Sequence, residues 1–247
     1  LAPKTVCHIM ECLRGALDRA VVRGVVPFNP ARAIKPPEVS PTSDIYNRHE
    51  VAALVSHATG TWMHPAVLLL ADCAMRPGEI CALRWDDLTA DWSAVLVRRS
   101  RNNAKGTTKT PAGCRDLALT ARVRTGLKQW RTRCHSTDWI FPALNGEPKP
   151  LCVQTLDEHF SHLVRRAGVR RRRPYDLRHT SVTVAVTNAA RAGVNLKDVA
   201  RWAGHKHIST TLEIYTAAIG NTNAMAEVME LGWGSAKPQS PSNAEVA

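Results

Sequence analysis

The chain has 247 residues, of which 44% are apolar, enough for one large or two modest folded domains. It carries 33 Lys and Arg against 21 Asp and Glu, a formal net charge of +12, which exceeds what solubility requires and favours a polyanionic partner. The best apolar run, residues 66–71, is far shorter than the roughly 20 residues that cross a bilayer, so no membrane span or membrane partner is predicted.

The seven cysteines are scattered along the chain and contain no C-x-x-C pair. An odd, unpatterned set of this kind indicates reduced thiols rather than a disulfide framework. The first residues also lack the apolar region of a signal peptide. We therefore expect a cytoplasmic protein.

The N-terminal region is predicted to form one helix followed by a linker. Apolar residues recur at three- and four-residue steps over residues 4–23, and Gly24 ends the pattern. Five prolines between residues 27 and 42 then predict an extended linker. Because one helix cannot bury itself, residues 1–40 are interpreted as the C-terminal remnant of a second, helical domain.

Residues 41–231 are expected to form the main domain. Helical patterns are found at about 47–58, 62–75, 121–133, 153–167, 176–192, 196–203, 208–219 and 222–231. Residues 94–97 and 116–119 resemble strands of a small antiparallel sheet, joined by a basic turn around Lys105 to Lys109. The Ser/Pro/Ala-rich residues 232–247 are predicted to be disordered. The predicted fold class is α+β, mostly helical.

Three spaced elements in the last third of the chain suit phosphodiester chemistry: Tyr175-Asp-Leu-Arg178-His179, then Gly204-His205, then Tyr215. A tyrosine phenol can attack phosphorus and store the bond energy as a phosphotyrosine, so no cofactor is needed. Arginine suits the non-bridging oxygens because its planar fork binds two of them and stays charged. Tyr215 is the candidate nucleophile, although a lone helical tyrosine is more often a packed aromatic.

These elements resemble the catalytic domain of the tyrosine recombinases, the phage-integrase family. Residues 71–88, 107–119, 174–181 and 202–216 are similar to the family's blocks in the family's order, and residues 5–37 are similar to the end of its core-binding domain. The resemblance implies six catalytic-site residues: Arg76, Lys109, Tyr175, Arg178, His205 and Tyr215. Tyr175 departs from the family, which commonly has His or Lys there. A phenol can still donate a hydrogen bond to phosphate but is a poor acid or base near neutral pH.

Several basic side chains are candidate DNA contacts. The run from Arg170 to Arg173 (Arg170, Arg171, Arg172 and Arg173) directly precedes the Tyr175 block and is expected to contact phosphates, although such runs are usually solvated faces. Lys105, on the same turn as Lys109, and His207 are further candidates. No carboxylate or cysteine ligands are spaced to complete a metal site with the histidines, so no metal is predicted.

The resemblance implies metal-independent, site-specific cutting and rejoining of double-stranded DNA, in the setting of a mobile element. It further implies a homo-oligomer, a tetramer, acting on two duplexes and associated with the nucleoid. Two alternatives remain open: a nicking-closing enzyme similar to type IB topoisomerases, and a catalytically impaired DNA-binding fragment. An RNA-binding protein is the weakest alternative, because no aromatic stacking platform is evident.

Overall fold

The computed structural model describes residues 1–38, 45–101, 113–189 and 191–219. The chain divides into two units, Leu1–Ser43 and Asp44–Ala247. In the first unit, helix α1 (Pro3–Val22) is followed by a 3-10 turn (Pro30–Arg32). Asn29 donates to the Asp18 carboxylate at 2.7 Å. The part of the predicted linker up to residue 38 therefore folds back on α1 instead of running freely away from it.

The second unit holds the remaining described elements. The helices are α2 (Arg48–Ala58), α3 (Met63–Cys73), α4 (Pro77–Cys81), α5 (Ala121–Arg131), α6 (Val153–Arg166), α7 (Pro174–Ala189), α8 (Leu196–Ala203) and α9 (Ile208–Ile219). The strands are β1 (Ala94–Val97) and β2 (Arg115–Ala118). The mostly helical fold with a small antiparallel sheet is confirmed. None of the described helices is both long and apolar enough to span a membrane.

Helix α3 is the centre of the core. Its sequence is apolar on nearly every side, and such a helix is stable only when it is surrounded. Residues 65–70 are all buried, and α3 packs against α2, α5 and α7. It ends at Ala74, which adopts the left-handed conformation with φ of 46°. Pro77 then begins α4 in a first helical turn, where its missing N–H costs nothing.

The sheet consists of β1 and β2 paired antiparallel, with Val97 opposite Arg115. Side chains alternate along β2, so Arg115 and Leu117 point to the buried side while Asp116 is exposed. The strand therefore delivers one arginine into the interior. Lys105, Lys109 and the basic turn predicted between the strands lie outside the described residues.

Helices α7, α8 and α9 pack on one another around a second apolar cluster that includes Val182, Val186 and Val199. Asn195 caps the start of α8 by accepting from the backbone N–H groups of Lys197 and Asp198. Gly204 ends α8 in the left-handed conformation with φ of 67°. The predicted helix at 222–231 and tail at 232–247 lie outside the described residues, and the assignment of residues 1–40 and 41–231 to family domains stays a prediction.

Candidate active site

Three arginines from distant segments converge on the C-terminal turn of α8. The last carbonyls of a helix lack partners within it and carry the negative end of its dipole. Each arginine donates to a different one of them: Arg115 to Trp202 (2.8 Å), Arg178 to Ala203 (2.6 Å) and Arg76 to Gly204 (2.6 Å). Strand β2, helix α7 and the start of α4 are thereby joined at one point.

Glu79 binds two of these arginines on the buried side of the site. Its buried carboxylate accepts from Nη1 of Arg76 at 2.7 Å and from both terminal nitrogens of Arg115 at 3.0 and 3.1 Å. It also accepts from the Arg76 backbone N–H. Burial raises the pKa of Glu79, but the bonds and charges of Arg115 and Arg76 outweigh burial and hold that pKa below its usual value. One ionised carboxylate therefore faces three cations, and the cluster keeps a net positive charge.

Arg178 is the most deeply placed of the three and is almost wholly buried. Besides Ala203 it donates to the carbonyl of Ala74, the residue that ends α3. Burial, aided by the nearby charge of Arg76, lowers the pKa of Arg178 to about 10. The guanidinium remains charged at neutral pH. Arg76 is 32% exposed at its side chain, so it offers N–H groups to an incoming anion.

His205 follows directly after the glycine that ends α8. Its Nδ1 lies 2.8 Å from the Thr211 hydroxyl, and Thr211 is fully buried in α9. Burial, followed by the charges of Arg178 and Arg76, lowers the pKa of His205 to about 4. At neutral pH the imidazole is therefore uncharged and carries one ring proton.

The two tyrosines of the predicted site lie on neighbouring elements. Tyr175 is in the first turn of α7, one turn before Arg178, and is 53% exposed. Tyr215 lies in α9, which packs against α7 and α8. The Tyr215 side chain lies outside the described part of the chain. The candidate lysines Lys105 and Lys109 lie outside it as well, so the structure brings together Arg76, Arg178 and His205 from the predicted set.

The basic run before α7 divides into two kinds of side chain. Arg170 donates to the Glu50 carboxylate at 2.6 and 2.8 Å, and the Arg172 guanidinium lies 6.0 Å from the ring centroid of Tyr46. These two hold the segment against the start of the domain. Arg170 is itself exposed despite this ion pair, as are Arg171, Arg173 and the remaining candidate DNA contact, His207.

Sequence reasoning missed Arg115 and Thr211. The predicted second strand began one residue late, at 116, and so excluded the arginine. Extending the alternation of Asp116, Leu117 and Ala118 backwards by one position places Arg115 on the buried side. A charged residue on the buried face of a strand is rare unless it is paired. That rarity would have identified Arg115 as a candidate site residue. Thr211 carried no comparable signal, because only the fold brings it to His205.

Within the described ranges, no group of three or more His, Cys, Asp or Glu side chains is arranged to hold a metal ion. The positive charge at this site comes from guanidinium groups. Two or more such groups held around one point suit an anion with several oxygens, such as a phosphodiester.

The chain is similar to known proteins in both sequence and fold. The model of the phage integrase family matches residues 46–221. Prophage integrase IntR of Escherichia coli K12 is 30% identical over 174 residues, which cover 60% of this chain and 41% of IntR. The chain thus spans about two fifths of the length of that curated relative.

Two solved structures share the fold. An integrase of the Tn1549 transposon in complex with a circular intermediate DNA superposes with a TM-score of 0.77 at 21% identity, covering 94% of this chain and 80% of the other. A lambda integrase tetramer bound to a Holliday junction gives a TM-score of 0.63 at 16% identity, covering 83% and 57%.

Proposed function

Because this chain belongs to the phage integrase family, we propose that it cuts and rejoins double-stranded DNA at specific sites through a phosphotyrosine intermediate on Tyr215. The observation that supports this most strongly is the convergence of Arg76 and Arg178 on successive carbonyls of α8, with His205 next in the chain. Such a cluster of guanidinium groups suits a phosphate, and α9, which carries the candidate nucleophile, packs against α7 and α8.

The reaction begins when the Tyr215 phenol oxygen attacks phosphorus. A bond forms between the phenol oxygen and phosphorus, and the bond between phosphorus and the 5′ oxygen breaks. Lys109 gives that 5′ oxygen a proton. The phenol proton passes to solvent water, and on resealing the 5′ hydroxyl returns its proton to Lys109 while the released phenol takes one from solvent. The transition state places extra charge on the non-bridging oxygens, and Arg76 and Arg178 stabilise it. Attack by a 5′ hydroxyl reverses these steps and reseals the strand.

On this proposal the reaction needs no metal ion. The arginine cluster supplies the positive charge that a divalent cation supplies in other phosphoryl-transfer enzymes. Glu79 holds Arg76 and Arg115 in fixed orientations, so little reorganisation is needed when the phosphate arrives. Tyr175, exposed one turn before Arg178, acts as a hydrogen-bond donor to a phosphate oxygen rather than as an acid or base.

We propose further that the chain acts as a homo-tetramer on two DNA duplexes, in the cytoplasm, during integration or excision of a mobile element. The setting follows that of prophage integrase IntR and the Tn1549 transposon integrase. The assembly follows the lambda integrase tetramer on a Holliday junction. Arg171, Arg173 and His207 are exposed and are assigned to the DNA-facing surface.

A covalent trap tests the proposal. The chain is incubated with a library of randomised duplexes that carry a nick, so that cleavage releases a short strand and the adduct accumulates. We expect an adduct that survives denaturing electrophoresis, is lost in Tyr215→Phe and persists in excess EDTA. Tyr215→Phe should bind the library nearly as well as the wild type.

The chain has only three tyrosines, and Tyr46 supplies the matched control. Tyr46→Phe removes a buried hydroxyl that has no hydrogen-bond partner in the described structure, so it should leave the adduct unchanged. Tyr175→Phe should slow adduct formation without preventing it. An adduct formed by Tyr215→Phe would refute the assignment of Tyr215 as the nucleophile. Loss of the adduct in EDTA would refute the metal-free mechanism.

A further inference from the structure

Thr211 differs from the buried and half-buried threonines of α7. A helical threonine commonly donates its hydroxyl to the carbonyl four residues earlier. Thr180, Thr183 and Thr187 all do so in α7, at 2.9 to 3.0 Å. Thr211, by contrast, has its hydroxyl 2.8 Å from Nδ1 of His205, although it is fully buried in the first turn of α9.

The direction of this hydrogen bond decides which ring nitrogen of His205 carries the proton. If the hydroxyl donates, Nδ1 is the acceptor and the single ring proton of the neutral imidazole is on Nε2. If Nδ1 donates instead, the Thr211 hydrogen needs a second acceptor inside a fully buried position, and Nε2 carries a lone pair. A lone pair repels an anion, whereas an N–H group binds it.

We propose that Thr211 is a positioning residue that donates its hydroxyl to Nδ1 of His205, so that the ring presents an Nε2–H group to the phosphate held by Arg76 and Arg178. This inference rests on the proposed function for its phosphate. His205 then acts as a neutral hydrogen-bond donor and not as a general base. The same contact joins the start of α9 to the end of α8, so the helix that carries Tyr215 is tied to the phosphate site.

The protonation state can be measured on the intact chain without DNA. Long-range ¹H–¹⁵N spectra of the protein labelled at histidine distinguish an Nε2–H ring from an Nδ1–H ring, and His205→Gln assigns the signal. We expect the Nε2–H form in the wild type and in Thr211→Ser, and a mixture of both forms in Thr211→Val. An Nδ1–H ring in the wild type overturns the proposal, whatever the enzyme does.

Adduct formation supplies the second measurement. Thr211→Val should slow the covalent trapping reaction about tenfold, the effect of losing one hydrogen bond. Thr211→Ser should retain the wild-type rate within about threefold. Thr210→Val is the matched control, since it makes the same change at the neighbouring, exposed position of α9.

The outcomes separate this inference from the proposed function. If the wild type forms no adduct, the proposed function fails while the spectra still decide the role of Thr211. If the wild type forms the adduct and Thr211→Val matches it in rate, the inference fails alone. A Thr211→Ser variant as slow as Thr211→Val also overturns it, because the effect would then come from packing and not from the hydroxyl.

Discussion

At the scale of single residues, the site depends on Gly204. Its φ of 67° is in the left-handed region, and a Cβ built there would lie 2.9 Å from Nη1 of Arg115 and 3.2 Å from Nη1 of Arg76. Side-chain ends usually move aside at little cost, but here Glu79 and the α8 carbonyls fix both guanidinium groups. The absence of a side chain at Gly204 is what allows two arginines to reach the end of the helix.

Gly204→Ala should therefore lower the free energy of unfolding by about 3 kcal/mol and abolish adduct formation. About 1 kcal/mol of this comes from the left-handed backbone and the rest from displaced arginines. Gly168→Ala separates the two effects, because Gly168 has φ of 64° and no atom within 4 Å of the added Cβ. Urea unfolding of both variants measures the difference. Equal losses of unfolding free energy in the two variants would show that the arginine side chains move aside without cost.

At the scale of elements, the C-terminal turn of α8 organises the domain. Its carbonyls accept hydrogen bonds from three arginines, one each from strand β2, helix α7 and the start of α4. The buried Glu79 binds two of those arginines. Breaking a buried charge pair costs far more than breaking an exposed one, because the remaining charge is left without a partner. The network is thus expected to hold the site together as one cooperative unit.

Arg115→Met should reduce the free energy of unfolding by about 3–5 kcal/mol, since it leaves the buried Glu79 with Arg76 alone. Lys149→Met, which breaks an exposed pair with Glu147, should cost at most about 1 kcal/mol. The double variant Arg115→Met/Glu79→Gln should be less unstable than the sum of its single changes, by about 1–3 kcal/mol. Strict additivity in urea unfolding would show that the two side chains act independently.

The elements also show what sequence can and cannot provide. The bounds of α8 and α9 were predicted correctly, because Gly193 and Gly204 interrupt a clear helical spacing. Helix α7 begins two residues before its predicted start, at Pro174, since proline fits a first helical turn. The resemblance placed Arg76, Arg178 and His205 in one site. The carbonyl and hydroxyl groups that bind these side chains are brought to them by long-range packing. The local spacing of residues in the sequence does not predict such contacts.

At the scale of the whole molecule, the net charge of +12 is not uniformly available to DNA. Part of the basic run before α7 is used within the fold, since Arg170 is paired with Glu50, which caps the start of α2. Arg171 and Arg173 are exposed and lead directly into the helix that carries Tyr175 and Arg178. On the proposed function, the total charge therefore overstates the number of phosphate contacts to expect from this segment.

Salt dependence of DNA binding tests this division. Each phosphate contact contributes about 0.9 to the slope of log K against log salt concentration. Arg171→Ala/Arg173→Ala should therefore lower the slope by about 2, without changing sequence preference. Arg170→Ala should mainly reduce stability, because it leaves the Glu50 carboxylate without its guanidinium partner.

Arg133→Ala is the matched control for charge. Arg133 is exposed and donates to the Gly60 carbonyl, near the start of α3, whereas Arg178 binds the Ala74 carbonyl at its end. Eleven helical residues separate these two ends by about 16 Å. Removing the Arg133 charge should leave the slope unchanged in fluorescence-anisotropy titrations. If it lowers the slope as much as an Arg171 or Arg173 change does, DNA binds the basic surface without preference, and the face beside α7 is not the docking face.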